Sequence, residues 1–506
     1  MMALAALPNG VAMPLADIPR LGVDRFRAAV LAEVQGGARL SALFACPDGA
    51  EALLLVAVLA RDDRGVLAVT TCSVEDEYPA ITPACPQAQG FEREIAELWG
   101  VRPLGHPWLK PLRFQPPRRA SSGAAGASAQ RPAIGLGPLF AMAGEEIHEV
   151  AVGPVHAGII EPGHFRFQCH GETVYHLETS LGYQHRGVER ALVGGPDART
   201  IHYMETLAGD TTVGHATTYS RICEALSGTR VPARGQALRG VAQELERLAN
   251  HIGDLGAMAG DVAFLPTSSY CGRIRGDVLN LTAILCGNRF GRGLVRPGGC
   301  GYDIAATNVA ELLRRLDGLR RDTESAVELL FDSPTARARL DNTGALTPET
   351  CRELGLVGVA ARACGVAVDV RHDYPYSIFR FVQIPVCTWH SGDVFGRTYV
   401  RWLEIQQSLT FVREQLAALP EGEVCREPAA AALAPDCLAV SLVEGWRGEI
   451  CHVAVTDAAG HFACYKVVDP SFHNWFGLAI AMRNQQISDF PLCNKSFNLS
   501  YCGHDL

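Results

Sequence analysis

Leu238, Val241, Leu245, Leu248, Ile252 and Leu255 recur at alternating steps of three and four. That period lays one apolar stripe along a helix. Pro232 stands at its start. A second stripe, Trp402, Ile405, Leu409, Val412 and Leu416, predicts a helix from about Gly396 to Leu416, and a third helix is expected over Val309 to Leu330. Long helices with such stripes must bury them against one another, so this part of the chain is predicted to hold a bundle core.

Ahead of it the periodicity changes. Ala52 to Val58 and Val66 to Thr71 read as strands, and Phe91 to Leu98 as a helix with charges set between apolar residues. Residues 1–117 are therefore expected to form a small α+β domain. From Arg118 to about Gly144 the chain is Ala, Ser, Gly and Pro with few large side chains, a composition that buries too little surface to order itself. Residues 118–146 are expected to be a linker and 147–506 the larger domain. Gly123 to Gly126 has neither a preceding strand nor a following amphipathic helix, so it fails the context of a phosphate loop. The tail from Glu449 returns to strand-like alternation, over His452 to Val455 and Phe462 to Val468, before a short helix and a terminal coil. The fold class expected is α+β, with a small α/β N-terminal domain and a mainly helical larger domain whose strands are peripheral.

Composition excludes several functions. The chain has 506 residues, 48% hydrophobic and 20% charged, which is ordinary for a globular protein of two or three domains. A net charge of -9, with Lys and Arg scattered, gives phosphate backbones no attraction, so no nucleic-acid partner is expected. The longest apolar stretch, Ala52 to Ala60, is far short of the roughly 20 residues that cross a bilayer. Met1 to Arg20 has no basic start and is interrupted by Pro8, Pro14 and Pro19, unlike a secretory signal, which predicts a cytoplasmic protein. The 17 cysteines include no C-x-x-C pair, and the closest two are Cys493 and Cys502. A self-contained zinc or iron-sulfur site needs thiolates at short spacings. Most of these cysteines, Cys286, Cys364 and Cys451 among them, are expected to be small buried hydrophobes.

Three polar clusters could carry chemistry. Between His156 and His170, the turn Glu161-Pro162-Gly163-His164 presents an acid and an imidazole, either to a cavity as proton carriers or to water as a plain hairpin turn. His185-Arg186-Gly187-Val188-Glu189-Arg190 gathers opposite charges around a glycine. Arg247, Asn250, His251, Asp254 and Asp261 fall near one another on or just past the first long helix, and taken alone read as a solvated face.

These residues carry a resemblance. Gly153-Pro154-Val155-His156, the loop Glu161 to Arg166, and His185 to Glu189 resemble successive N-terminal motifs of the large subunits of complex I and of membrane-bound (group 4) nickel-iron hydrogenases. Val231 to Gln236, Glu246 to His251, Arg296 to Gly299, Asp369-Val370-Arg371 and Tyr374-Pro375-Tyr376 are similar to the same family in the same order. Phe91 to Ile95, Gly100-Val101 and Gly105-His106-Pro107 resemble the smaller complex I subunit often fused ahead of the large one.

In the hydrogenase branch two C-x-x-C pairs hold nickel and iron, because four thiolates must converge on soft metals. Anchored on His215, Tyr219 and Val231-Pro232, the first pair falls at Ala208 and Thr211. Ser496 to Gly503 resembles the segment of the second pair, which falls at Ser500 and Gly503, with Cys502 one place out of register and Cys223 a further lone thiol. No metal is therefore expected on this chain. In the complex I branch a tyrosine and a histidine bind quinone; the tyrosine position lies near Gly209 and the histidine within Glu161 to His164. The resemblance implies His156, Glu161, His164, Glu189 and Asp261 as proton-handling residues, and Arg186, His215 and Arg296 as contacts to a cofactor region. It also implies a small partner subunit carrying the iron-sulfur cluster, antiporter-like membrane subunits, a quinone acceptor, and a peripheral place on the inner face of the cell membrane. The function implied is electron transfer from the iron-sulfur subunit to a quinone or another acceptor, coupled to proton or ion movement. The alternative is a scaffold subunit without catalysis, and the missing thiolates argue against an active hydrogenase. Whether NAD serves the wider assembly is left open, since this chain has no convincing dinucleotide fold.

Overall fold

The computed structural model describes residues 4–49, 52–119, 135, 137–158, 160–429 and 432–506. Near the N-terminus, β1 (Ala5–Leu7), β2 (Ala12–Pro14) and α1 (Val23–Gln35) precede three long strands, β3 (Arg39–Asp48), β4 (Ala52–Arg61) and β5 (Val66–Val74). These pair antiparallel in the order β1-β5-β4-β3, with Leu43 opposite Ala57 and Val58 opposite Val69. The unbroken apolar run of β4 is the mark of a strand covered on both faces, and Leu53 to Ala60 are all buried. α2 (Gln89–Trp99) lays Phe91, Ile95 and Leu98 on the core and ends at Gly100, whose positive φ of 69° lets its N–H cap the carbonyl of Ala96.

Residues 120–134 and 136 of the expected linker, with Gly123 to Gly126, lie outside the described residues. Its far end is fastened rather than free: the Phe140 N–H donates to Glu178 at 2.8 Å, the Met142 N–H to Gln168 at 3.2 Å, and the Phe140 ring packs tilted against His176. Both acceptors lie in a three-stranded sheet of β6 (Ile147–Val152), β7 (His164–His170) and β8 (Thr173–Ser180).

The expected helices are present and longer than predicted. α3 (Thr212–Ser227), α4 (Ala233–Asp261), α5 (Leu265–Cys286), α6 (Ala306–Phe331) and α7 (Val394–Ala417) supply the helical core, with Pro232 as the N-cap of α4. The Asp393 side chain accepts the Gly396 N–H and starts α7 two residues before the apolar stripe shows it.

The final strands are a correction. The sequence reading placed strands at the periphery of the large domain, yet β9 (Cys437–Glu444) and β10 (Glu449–Thr456) are buried at every residue. With β11 (Phe462–Val468) and β2 they form a sheet in the order β11-β10-β9-β2, in which Met13 pairs with Leu438. The sheet lies between α3 and the N-terminal sheet, and Lys466 on β11 meets Glu94 of α2 at 2.6 Å. The predicted terminal coil is also helical after α8 (Pro470–Ala481), in α9 (Phe490–Phe497) and α10 (Tyr501–Asp505). These helices are too short for a periodic stripe, and α10 is held by Ser500, whose hydroxyl accepts the Gly503 N–H at 2.9 Å. Fifteen of the 17 cysteines are buried, with Cys387 half-buried and Cys425 exposed. No described helix is long and apolar enough to cross a membrane.

Candidate functional site

Two segments distant in sequence meet where α3 begins and the chain turns into α10. Arg186 clamps them: its guanidinium donates to the carbonyls of Thr206, Leu207 and Cys502 at 2.7, 2.8 and 3.2 Å. From the opposite side Arg447, in the turn between β9 and β10, holds Asp210 through two bonds of 2.7 and 2.8 Å and donates to the Asn498 carbonyl. Its guanidinium lies 3.9 Å from the centre of the Trp446 ring, whose N–H donates to the Asp210 carbonyl. Burial alone would raise the Asp210 carboxyl, but the Arg447 charge outweighs it and the group is held below its ordinary value.

A nickel-iron centre does not fit what converges here. Ala208, Thr211, Ser500 and Gly503 offer a methyl, two hydroxyls and no side chain. The Thr211 hydroxyl is engaged by Arg447 and Trp446, and that of Ser500 by Gly503. A Cβ on residue 503 would lie 2.7 Å from the Asp469 Cγ, so a carboxylate fills the space a cysteine would need. The displaced Cys502 thiol is pushed up to about 12 by burial and by Glu161, far from the thiolate a metal takes. Among the described residues, no three His, Cys, Asp or Glu side chains are arranged to hold a metal ion. Gly209, at the expected tyrosine position, has nothing within 4 Å of where its Cβ would stand.

Comparison with known proteins agrees with this architecture. Residues 28–118 match the family described as the respiratory-chain NADH dehydrogenase 30 Kd subunit, and residues 261–437 match the 49 Kd subunit of the same enzyme. The chain belongs to the fused large-subunit family of complex I and the membrane-bound hydrogenases. Formate hydrogenlyase subunit 5 of Escherichia coli is 28% identical over 441 residues, covering 84% of this chain and 76% of that one. The carbon monoxide-induced hydrogenase of Rhodospirillum rubrum is 28% identical over 352 residues, 69% of this chain and 97% of that one. NADH-quinone oxidoreductase subunit 4 of Thermus thermophilus is 29% identical over 370 residues, 68% of this chain and 90% of that one.

Of the residues the family resemblance singled out, three reach this meeting point. Glu161 accepts the N–H groups of Tyr501 and Cys502 at 3.2 and 3.5 Å, Arg186 forms the clamp, and His215, on the first turn of α3, bonds to Asp469 at 3.1 Å. The others are placed elsewhere. His156 bonds through Nε2 to the Gly163 carbonyl at 2.9 Å and so braces its own loop, while His164 opens β7 opposite Ser180. Glu189 is buried against Lys466 at 3.0 Å and accepts the Val467 N–H, tying β11 down. Arg296 pairs with Glu205 at 2.8 Å. Asp261 is exposed at the last residue of α4, about 10 Å along the axis from Asp254. Asp254 is the carboxylate that reaches the C-terminal segment, bonded to Arg401 and to the Asn498 amide.

The face bearing Arg247, Asn250, His251 and Asp254 is buried, contrary to the solvated reading. Arg247 and His251 share Glu404 of α7, at 3.2 and 2.9 Å, and Arg362 joins Glu404 to Glu444 of β9. Sequence reading also missed Glu246, which receives the Val213 and Gly214 N–H groups at the start of α3 and which burial pushes up to about 8. It missed, too, a line of side chains running from Asp469 through His215 and His452 to Tyr465. The one local signal was a histidine inside the apolar run Ile450 to Val455, since a polar residue in a buried strand requires a partner.

Proposed function

We propose that this chain is the large subunit of a membrane-associated assembly of the complex I type, which takes electrons from an adjacent iron-sulfur subunit to a quinone or another small acceptor and couples this to proton or ion movement. The supporting observation is that the segments 206–211 and 498–503 are clamped by Arg186, through Thr206, Leu207 and Cys502, and by Arg447, through Asp210 and Asn498, with Glu161 on the backbone of 501 and 502, although no thiolate is left to hold a metal. Gly209 is exposed, with open space where its side chain would stand, which suits approach of an acceptor from solvent. Hydrogen chemistry at nickel lacks its ligands, so the reading follows the quinone reductases among the relatives rather than the hydrogenases. Membrane contact on the inner face is assigned to antiporter-like partners, and the cluster to a small iron-sulfur partner.

The test is purification of the whole assembly through this chain and measurement of quinone-dependent donor oxidation. Turnover that falls on Arg186→Met, in an assembly of unchanged subunit composition, is expected. Absence of turnover, or turnover indifferent to that change, overturns the redox reading. The scaffold reading is favoured by one observation, the occupation of the 503 side-chain space by Asp469. It requires that the assembly form and that changes at this site leave every redox rate untouched.

A further inference from the structure

We propose that Asp469, His215, His452 and Tyr465 are a proton-conducting chain that delivers a proton from inside the β10–β11 layer to the Asp469 carboxylate, beside the segments where the family's metal would lie. The claim rests on the redox reading above only for what draws the proton, not for the existence of the chain.

The geometry is a single line. Asp469 Oδ2 lies 3.1 Å from His215 Nε2, His215 Nδ1 lies 3.1 Å from His452 Nε2, and His452 Nδ1 lies 2.9 Å from the Tyr465 hydroxyl. All four residues are buried, none more than 1% exposed. A structural histidine is satisfied by one good partner; here both imidazoles spend both ring nitrogens, and they do so in series.

The direction of every bond follows from the Asp469 charge together with a neutral His215. Burial would raise the Asp469 carboxyl, but its bond to His215 and the nearby Arg447 hold it below its ordinary value, so it is ionised and only accepts. His215 Nε2 therefore carries the hydrogen. In a neutral imidazole the other nitrogen is then bare, so His215 Nδ1 must accept, and His452 Nε2 must be the donor to it. His452 Nδ1 is bare in turn and accepts from the Tyr465 hydroxyl. His452 is kept neutral by burial, which drives it well below its ordinary value. A cationic His215 would instead donate from both nitrogens and put the His452 hydrogen on Nδ1, so a hydrogen on Nδ1 of His452 in the unsubstituted protein overturns this pattern.

A chain aligned in this way moves one proton without leaving a charge inside. A proton arriving at the Tyr465 oxygen releases the phenolic hydrogen to His452 Nδ1. The Nε2 hydrogen of His452 passes to His215 Nδ1, and that of His215 Nε2 passes to Asp469 Oδ2. One proton enters, one appears on Asp469, and no electron moves. The bonded line begins at the Tyr465 hydroxyl: Tyr465 meets Tyr219 through a ring contact, centres 6.4 Å apart, rather than a hydrogen bond, and beyond Tyr219 lies Thr200, which donates to the half-exposed Asp197 at 3.1 Å. The delivery side is the carboxylate that occupies the 503 side-chain space. An electron reaching a neighbouring cluster would raise the proton affinity of that carboxylate.

The decisive measurement is magnetic resonance on the full chain carrying isotope-labelled histidine. The unsubstituted protein is expected to show a scalar coupling across the His215–His452 bond and a hydrogen on Nε2 of both rings. In Asp469→Asn the amide oxygen is fixed by the Ser471 N–H, which donates to Oδ1 at 2.8 Å, so the amide nitrogen faces His215 and donates to it. Both rings are then expected to switch together to the Nδ1–H form. An absent coupling, or a His215 that switches while His452 does not, overturns the proposal. If the Asn variant does not fold, Tyr465→Phe serves: it keeps the ring, leaves the coupling in place, and in the assembled complex is expected to lower kcat at least tenfold while KM stays constant. An unchanged kcat in a complex that turns over overturns the conducting role. A complex with no turnover at all sinks the redox reading alone, because the coupled switch of the two rings is read without it.

Discussion

Gly503 and Asp469 share one space, since a side chain on residue 503 would begin 2.7 Å from the Asp469 Cγ and 2.8 Å from its Oδ2. Gly503→Cys must therefore displace the carboxylate that His215 and Ser471 hold. Overpacking of this kind costs about 1–3 kcal/mol, and thermal melting is expected to show it. Restoring cysteines at 208, 211, 500 and 503 together is expected to leave nickel near zero by elemental analysis, because the acid still stands among the ligands. A fourfold variant that melts like the parent and carries stoichiometric nickel would refute the overlap.

Lys466 and Glu94 join β11 to α2, so their pair fastens the N-terminal domain to the large one. Burial alone would raise the Glu94 carboxyl, but Lys466 and Arg113 outweigh it and hold it at about 2. An unfolded glutamate titrates near 4.3. The folded value is the lower one, so the pair's contribution is complete above about pH 4.3 and fades as pH falls toward 2, amounting to about 3 kcal/mol. Glu94→Gln is expected to strip this dependence from urea-unfolding curves and to cost about 3–5 kcal/mol near neutrality by leaving the two cations buried. Parallel pH profiles for the two proteins would contradict this.

The long helices were legible because each carries its own evidence, a stripe such as Leu238 to Leu255 that only a buried helix face explains. The central position of β9 to β11 was not, because β2 meets β9 across more than 400 residues, at Met13 and Leu438, and no local pattern encodes such a pairing. The same physics divides the site. Arg186 and Glu161 could be named from motifs in their own neighbourhood, whereas the partners of Asp469 lie at His215 and, beyond it, His452. Arg247, His251 and Asp254 were misread as solvated because charge on a helix usually faces water; their counter-charges come from Glu404 and Arg401 on α7.

Acid should weaken the fold through its buried imidazoles. Burial pushes His251 down to about 4 in spite of Glu404, and pushes His473 down to about 4 as well. An unfolded histidine titrates near 6.5, so the unfolded chain binds protons that the folded one refuses. Stability is then full above pH 6.5 and is lost as pH falls toward 4, by about 3 kcal/mol for each ring. His473→Phe keeps a ring beside Phe91 and removes one titration. Its unfolding free energy is expected to fall less steeply between pH 6 and 4, by up to about 1.4 kcal/mol per pH unit. An unaltered slope would mean that His473 is charged in the folded state.

Arg362 is the joint of the buried charge network, and its removal should do more than weaken the fold. It reaches Glu404 on α7 at 2.9 Å, Glu444 on β9 at 2.7 Å and the Val368 carbonyl at 2.8 Å, while Arg371 spans Glu244 and Asp369. Around it four carboxylates, Glu244, Asp369, Glu404 and Glu444, meet three guanidiniums, those of Arg247, Arg362 and Arg371. The excess falls on Glu444, whose carboxyl burial and Asp369 push up to about 7. Arg362→Met leaves Glu404 short of a partner at no water's reach, which costs about 3–5 kcal/mol. Arg362→Lys supplies a point charge in place of a planar fork and cannot bridge α7 and β9 together, so it is expected to recover only part of that. Because β9 ends at Glu444, two residues before Trp446 and three before Arg447, slack in this joint loosens the clamp on Asp210. The lysine variant should therefore lose quinone-dependent turnover in the assembled complex while its urea midpoint stays above that of the methionine variant. Equal midpoints for the two, or full turnover in either, would show that the network and the clamp are independent.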